Sequence, residues 1–195
     1  GTYQPNPQDF KSYRGYLYQP GAVSSYRFGS FIHDLAGAGY FGSGAKVGIL
    51  LADDGSGNNQ YLVDNLWKPQ LAALHITPTV FTFHAIEGYS DVADTAGSFE
   101  SAVLQFKAAG VNRVMFTPDG GDGTIFFTQT ASSQGYSPRY ALTSDSGPTA
   151  WSTEPASQRP NALDVSFYIG DLGISTEPQQ IAAAHRTGAA VVELH

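Results

Sequence analysis

Apolar residues change their spacing several times along this chain, and each change predicts an element. Phe28, Phe31, Ile32, Leu35 and Ala36 recur on one face of a helical period, behind Ser24 or Ser25 as a cap and ahead of Gly37 and Gly39 as a stop. Val47 to Leu51 is an unbroken apolar run, the pattern of a strand covered on both faces, and "ADDGSGNN" turns the chain after it. Asn58 or Asn59 caps a helix bearing Tyr61, Leu62, Leu66, Trp67, Leu71 and Leu74, in which Pro69 predicts a kink or a restart. "PTVFTFH" (residues 78 to 84) alternates like a strand. A long helix from about Thr95 to Ala109 follows, with Phe99, Val103, Leu104 and Phe106 inward and Gly110 as its stop.

"VNRVMF" then predicts a short strand, "TPDGGDG" a loop, Thr124 to Ser133 a helix ended by Gly135, and "PRYALT" another strand. Beyond an irregular stretch, "ALDVSFYI" predicts a last strand and "PQQIAAAHRTGAAVVEL" a terminal helix. Residues 1 to 22, rich in Tyr, Gln and Pro, read as an extended leader in which Tyr16, Leu17 and Tyr18 suit an edge strand. Strands alternating with helices of ten or more residues make βαβ units. The expected fold class is therefore α/β, a three-layer sandwich with a mostly parallel sheet. The expected organisation is an irregular leader over residues 1–23, an α/β lobe over 24–170 and a connecting segment over 171–195.

Composition narrows the function. The 195 residues are 42% hydrophobic and 14% charged, within the globular range. A net charge of −7 without a basic cluster argues against nucleic acid as partner. The absence of cysteine excludes disulfides, thiolate metal sites and cysteine nucleophiles. No stretch reads as a membrane span or a signal peptide, and the Gly1 start and "VVELH" end read as those of an excised segment.

In an open parallel sheet, ligands bind beyond the carboxyl ends of the strands. Three loops are expected on that edge: "ADDGSGNN", "TPDGGDG" and "TSDSGPTAW". Each combines small residues with hydroxyls and one or two aspartates, so that Asp53 and Asp54 on the first loop, Thr117 and Asp119 on the second, and Ser144 and Asp145 on the third suit the walls of a small-molecule cleft. Trp151 is placed to stack on a ligand. For any one loop the plainer reading is turn formation and helix capping. Phosphate-loop and dinucleotide patterns are missing, the five histidines show no HExxH or i,i+4 pairing, and Asp119 and Asp122 lack the EF-hand pattern for calcium. Ser144 and Ser146 sit in no nucleophile elbow. No cofactor and no catalytic residue is expected.

"KVGILLADDGSG", the helix ending "WKPQLAAL", "ESAVLQFKAAGVNRVMF" and "TASSQGYSPRYALTSDSGP" together resemble the type I periplasmic binding proteins of the leucine/isoleucine/valine-binding group, over roughly residues 24 to 170. The resemblance implies an extracytoplasmic receptor that serves the membrane component of an ABC transporter and closes two lobes around a ligand. "SSYRFGSFIHDLAGAGYF" resembles the helix that leads into the second lobe, so the chain reads as that lobe and its connections, with a homodimer as one way to cover the partner face. By the same resemblance, ligand contacts fall on Asp54 and Ser56, on Phe116 to Asp119, and on Ser144 or Asp145, the last suited to an ammonium. Asp54, Gly55 and Ser56 stand where the family commonly carries an aromatic, which weighs against an amino-acid ligand. Beside the receptor stand an enzyme or nucleotide-binding protein on a Rossmann-like sheet, and a sensor or interaction domain with a vestigial cleft.

Overall fold

The computed structural model describes residue 12 and residues 28–86, 89–119, 121–143, 145, 151, 153–165 and 190–192, with the backbone alone at 89–94, 96 and 190–192. The leader around Tyr16 to Tyr18, the cap at Ser24 or Ser25, Ser144, Ser146 and most of the predicted terminal helix lie outside these residues.

Helix α1 (Phe31–Gly37) precedes strand β1 (Val47–Asp53). The helix after β1, α2, is continuous but changes pitch: Asn58–Leu62 is α-helical, Val63–Trp67 is a π-helical turn, and Lys68–Ala73 is α-helical again. Pro69 is the reason, because it brings no N–H for a carbonyl one turn earlier; the wider turn ahead of it absorbs the gap without breaking the helix. Strand β2 (Thr79–His84) and helix α3 (Tyr89–Ala109) follow. The helix begins six residues earlier than its apolar spacing predicts. Then come β3 (Arg113–Phe116), α4 (Asp122–Ser133), β4 (Arg139–Thr143), a 3-10 turn at Arg159–Asn161, β5 (Ala162–Val165) and β6 (Ala190–Val192).

All described pairings are parallel, and the strand order is β2-β1-β3-β4-β5-β6. The strand at Ala190–Val192 differs from the helix predicted there. Two consecutive β-branched residues pair well along an existing sheet edge, and that tertiary opportunity outweighs the alanine-rich helical pattern before them.

Alternation along the strands builds two cores. Val47, Ile49, Leu51, Met115, Ala141, Leu163 and Val165 face α1 and α2, while Leu50, Ala52, Phe83, Val114, Phe116, Tyr140 and Leu142 face α3 and α4. Helices thus cover both sides of one sheet, the three-layer α/β sandwich expected from the sequence. β1 is buried at every position but its last, as its unbroken apolar run requires. Gly48 is glycine for a local reason: a Cβ there meets Val111 Cγ1 at 2.9 Å and the Phe106 ring at 3.0 Å, so α3 sits close against β1 only where the side chain is absent.

Candidate functional site

The chain leaves β1 over one face of the sheet through α2 and leaves β2 over the other through α3. β1 lies between β2 and β3, so the crossovers diverge there and the carboxyl ends of β1 and β3 frame the topological switch point. The loops after β1, β3 and β4 all meet on this edge. Asp119 N–H donates to the Asp145 carbonyl at 3.3 Å, joining the second loop to the third. Asn59 Nδ2 donates to the carbonyls of Ala52 and Pro118, both at 2.9 Å, joining the first loop to the second. The described parts of the three acid-and-glycine loops therefore lie on one edge, the third joined to the second through Asp145.

Thr117 seals the crevice beneath them. Its N–H donates to Leu50 O at 3.1 Å, and its Oγ1 accepts from Ala52 N at 2.9 Å, so a side-chain oxygen continues the β1–β3 ladder one step past the strand. Thr117 and Asn59 are buried, which makes them supports for the edge and not groups presented to solvent. Nothing in the sequence pattern distinguishes Asn59 from its neighbour Asn58. Its role follows from its place in the first turn of α2, which turns its amide back toward the strand ends.

Asp119 caps a helix. Its carboxylate accepts from Gly121 N at 2.9 Å and Gly123 N at 2.7 Å, at the amino end of α4 where the helix dipole also favours negative charge. Burial pushes this carboxyl up to about 6, against the opposing pull of the two backbone N–H groups. The glycines serve the same cap: Gly121 has φ 104°, and a Cβ on Gly123 would run into Asp119 Oδ2 and Phe83. "DGGDG" is thus a capping loop whose carboxylate is already engaged.

Asp53 and Asp54 differ, because both are exposed and each has one oxygen without a hydrogen bond among the described residues. Asp53 Oδ1 accepts from Gly55 N at 3.0 Å; Asp54 Oδ1 accepts from Ser56 N at 2.9 Å and from Ser56 Oγ at 2.6 Å. Ser56 Oγ in turn accepts from Asn58 N at 3.1 Å, so the Asx turn hands the chain into α2. These two aspartates line a cavity of about 190 Å³ together with Leu51, Asn59, Gln60 and Thr82. The cavity sits on the β1/β2 side of the switch point, under the first turn of α2. Gln60 and Thr82 are not among the residues that the sequence pattern singles out; Thr82 is brought in by its pairing with Leu51 across the parallel ladder.

Two aromatic candidates have their rings in the core. Phe116 is 1% exposed and packs between Phe127 and Tyr140, because its place in β3 turns it toward α4 and away from the strand end. Trp151 is 2% exposed, meets Tyr140 edge-on at 5.5 Å and donates its indole N–H to Arg159 O at 2.9 Å, so neither ring face is open for a ligand to stack on. Asp145 is half-buried beside Asp119, and Ser144 lies outside the described residues. Among the described residues no group of three His, Asp or Glu side chains gathers as metal ligands, and no helix is long and apolar enough to cross a membrane. No family model and no curated protein matches this chain.

Proposed function

We propose that this chain is a ligand-binding lobe of a solute receptor, similar to the second lobe of type I periplasmic binding proteins, and that its ligand is a small polar molecule held at the carboxyl edge of the sheet. Two-lobe closure, delivery to an ABC-type membrane component and an extracytoplasmic setting belong to the same reading. The observation that carries it is the cavity under α2, where two exposed aspartates each have a carboxylate oxygen without a hydrogen bond among the described residues, beside the buried amide of Asn59. Fixed acceptors with small neighbours suit a ligand that brings donors, such as an ammonium or an amide. The lobe is read as non-catalytic: Asp119, a carboxyl on this edge that burial holds well above its usual range, is engaged in a helix cap and so is poorly placed to act as a general base.

Thermal unfolding of the chain against amines, amides and small organic acids tests the proposal, since a ligand that binds only the folded state raises the melting temperature. Donor-rich solutes are expected to raise it, and Asp53→Asn with Asp54→Asn to remove the rise. A response limited to organic acids, or one that survives the double substitution, would overturn the assignment of this cavity.

A further inference from the structure

The opposite edge of the sheet carries the reverse charge. Lys46 precedes β1, Lys107 lies in the last turn of α3, and Arg113 and Arg139 open β3 and β4. Cations are expected near helix carboxyl ends, and Lys107 fits that account, since its Nζ donates to the Gln134 carbonyl at 2.9 Å just past α4. The two arginines do not fit it.

Arg113 and Arg139 are direct partners in the β3–β4 ladder, so their side chains leave the same face of the sheet from neighbouring strands about 4.8 Å apart. Both guanidinium groups lie over one ring, that of Tyr40, with Cζ at 5.8 Å and 5.5 Å from its centroid. The ring is a fixed platform, because Tyr40 is fully buried and its hydroxyl lies 3.1 Å from the Val114 carbonyl and 2.9 Å from that of Arg139. Arg113 is held further: Nε donates to Tyr40 O and Nη1 to Asn112 O, both at 2.9 Å. Its Nη2 and every N–H of the Arg139 side chain lack a hydrogen-bond partner among the described residues, and no described carboxylate comes within ion-pair distance of either guanidinium.

In a chain with 17 acids and 10 Lys and Arg, two adjacent arginines without an acid are a costly arrangement. The cost is visible in Arg113, whose ionisation is pulled down by burial and by the charge of Arg139. Arg113 Nη2 and the guanidinium of Arg139, gathered over one ring, offer donors to an oxyanion of two charges, which can accept from both arginines at once. We infer that Arg113 and Arg139, seated on Tyr40, form a binding site for a phosphate-type dianion, remote from the acidic cavity and independent of the ligand proposed for it.

Thermal unfolding of the chain in inorganic phosphate, compared with chloride at equal ionic strength, tests this in three proteins: unaltered, Arg139→Gln and Lys46→Gln. Phosphate strengthens folding of many proteins by exclusion from their surface, so the difference between variants is the readout. Arg139 is exposed and its loss leaves the core intact. Lys46 removes the same charge from the same edge, but its ammonium lies beside Gly110 at the end of α3, on the other face of the sheet. A rise of roughly 3 °C at about ten times the dissociation constant is expected in the unaltered and Lys46→Gln proteins and not in Arg139→Gln. An equal rise in all three, or none in the unaltered protein, would overturn the site.

Discussion

Asp119 and Gly123 are coupled by contact, and each constrains the other. Gly123→Ala sets a methyl group against both the capping carboxylate and Phe83 and is expected to destabilise the fold by about 2 kcal/mol in urea titrations. The same change at Gly55, where φ is 73° and nothing crowds the site, is expected to cost about 1 kcal/mol from backbone strain alone. Asp119 also gives the protein a pH signature. Its carboxyl titrates at about 6 in the fold and near 3.8 when the side chain is free in water, so between these limits the folded state holds a proton that the unfolded state releases. The associated stability is complete below the lower limit and is lost as pH rises through about 6. Glu154, raised by burial and bonded by Thr128, carries the same sign. Denaturation midpoints measured from pH 4 to 7 are expected to fall as pH rises, with a shallower slope in Asp119→Asn.

At the scale of elements, side chains fasten segments that have little secondary structure of their own. The stretch from Trp151 to Asn161 is held to β4 and α4 by the Trp151 ring against Tyr140, by the bond between Glu154 and Thr128, and by Gln158. Gln158 is 1% exposed; its Oε1 accepts from the Tyr140 hydroxyl at 2.6 Å and its Nε2 donates to Tyr136 O at 3.1 Å. Gln158→Ala therefore leaves a buried phenol without an acceptor and is expected to cost about 2–3 kcal/mol by chemical denaturation. Asn59→Ala strips the donors from Ala52 O and Pro118 O and is expected to cost about 1–2 kcal/mol, with faster amide exchange in the loops after β1 and β3. Element identities are mostly legible because the periods are clean: β1, β2, β3, β4, β5, α2 and α4 lie where the apolar spacing predicts. The early start of α3 is not, since Gly97 and the polar residues before it hide the helical period. Nor is β6, whose three residues form a strand only because β5 offers an edge.

At the scale of the whole molecule, the described charges at the ends of the strands are sorted by strand direction. Asp53, Asp54, Asp119, Asp122 and Asp145 sit at the carboxyl edge, and Lys46, Lys107, Arg113 and Arg139 at the amino edge. The two proposed sites use opposite ends of this arrangement and are expected to respond independently. Neutralising Asp53 and Asp54 is expected to leave a phosphate response intact, and Arg139→Gln to leave a response to donor-rich solutes intact, both read as shifts in melting temperature.

By itself the sequence determined the class of fold and the edge of the sheet on which the polar loops gather. Hydrophobic period and glycine placement act over a few residues and are written directly in the chain. Only the tertiary structure decided which of the polar residues are open. It engaged Asp119 in a cap, took the rings of Phe116 and Trp151 into the core, drew Asn59, Gln60 and Thr82 around a cavity, and set Arg113 beside Arg139. These outcomes depend on contacts between residues far apart in the chain, across strand neighbours that local spacing does not specify.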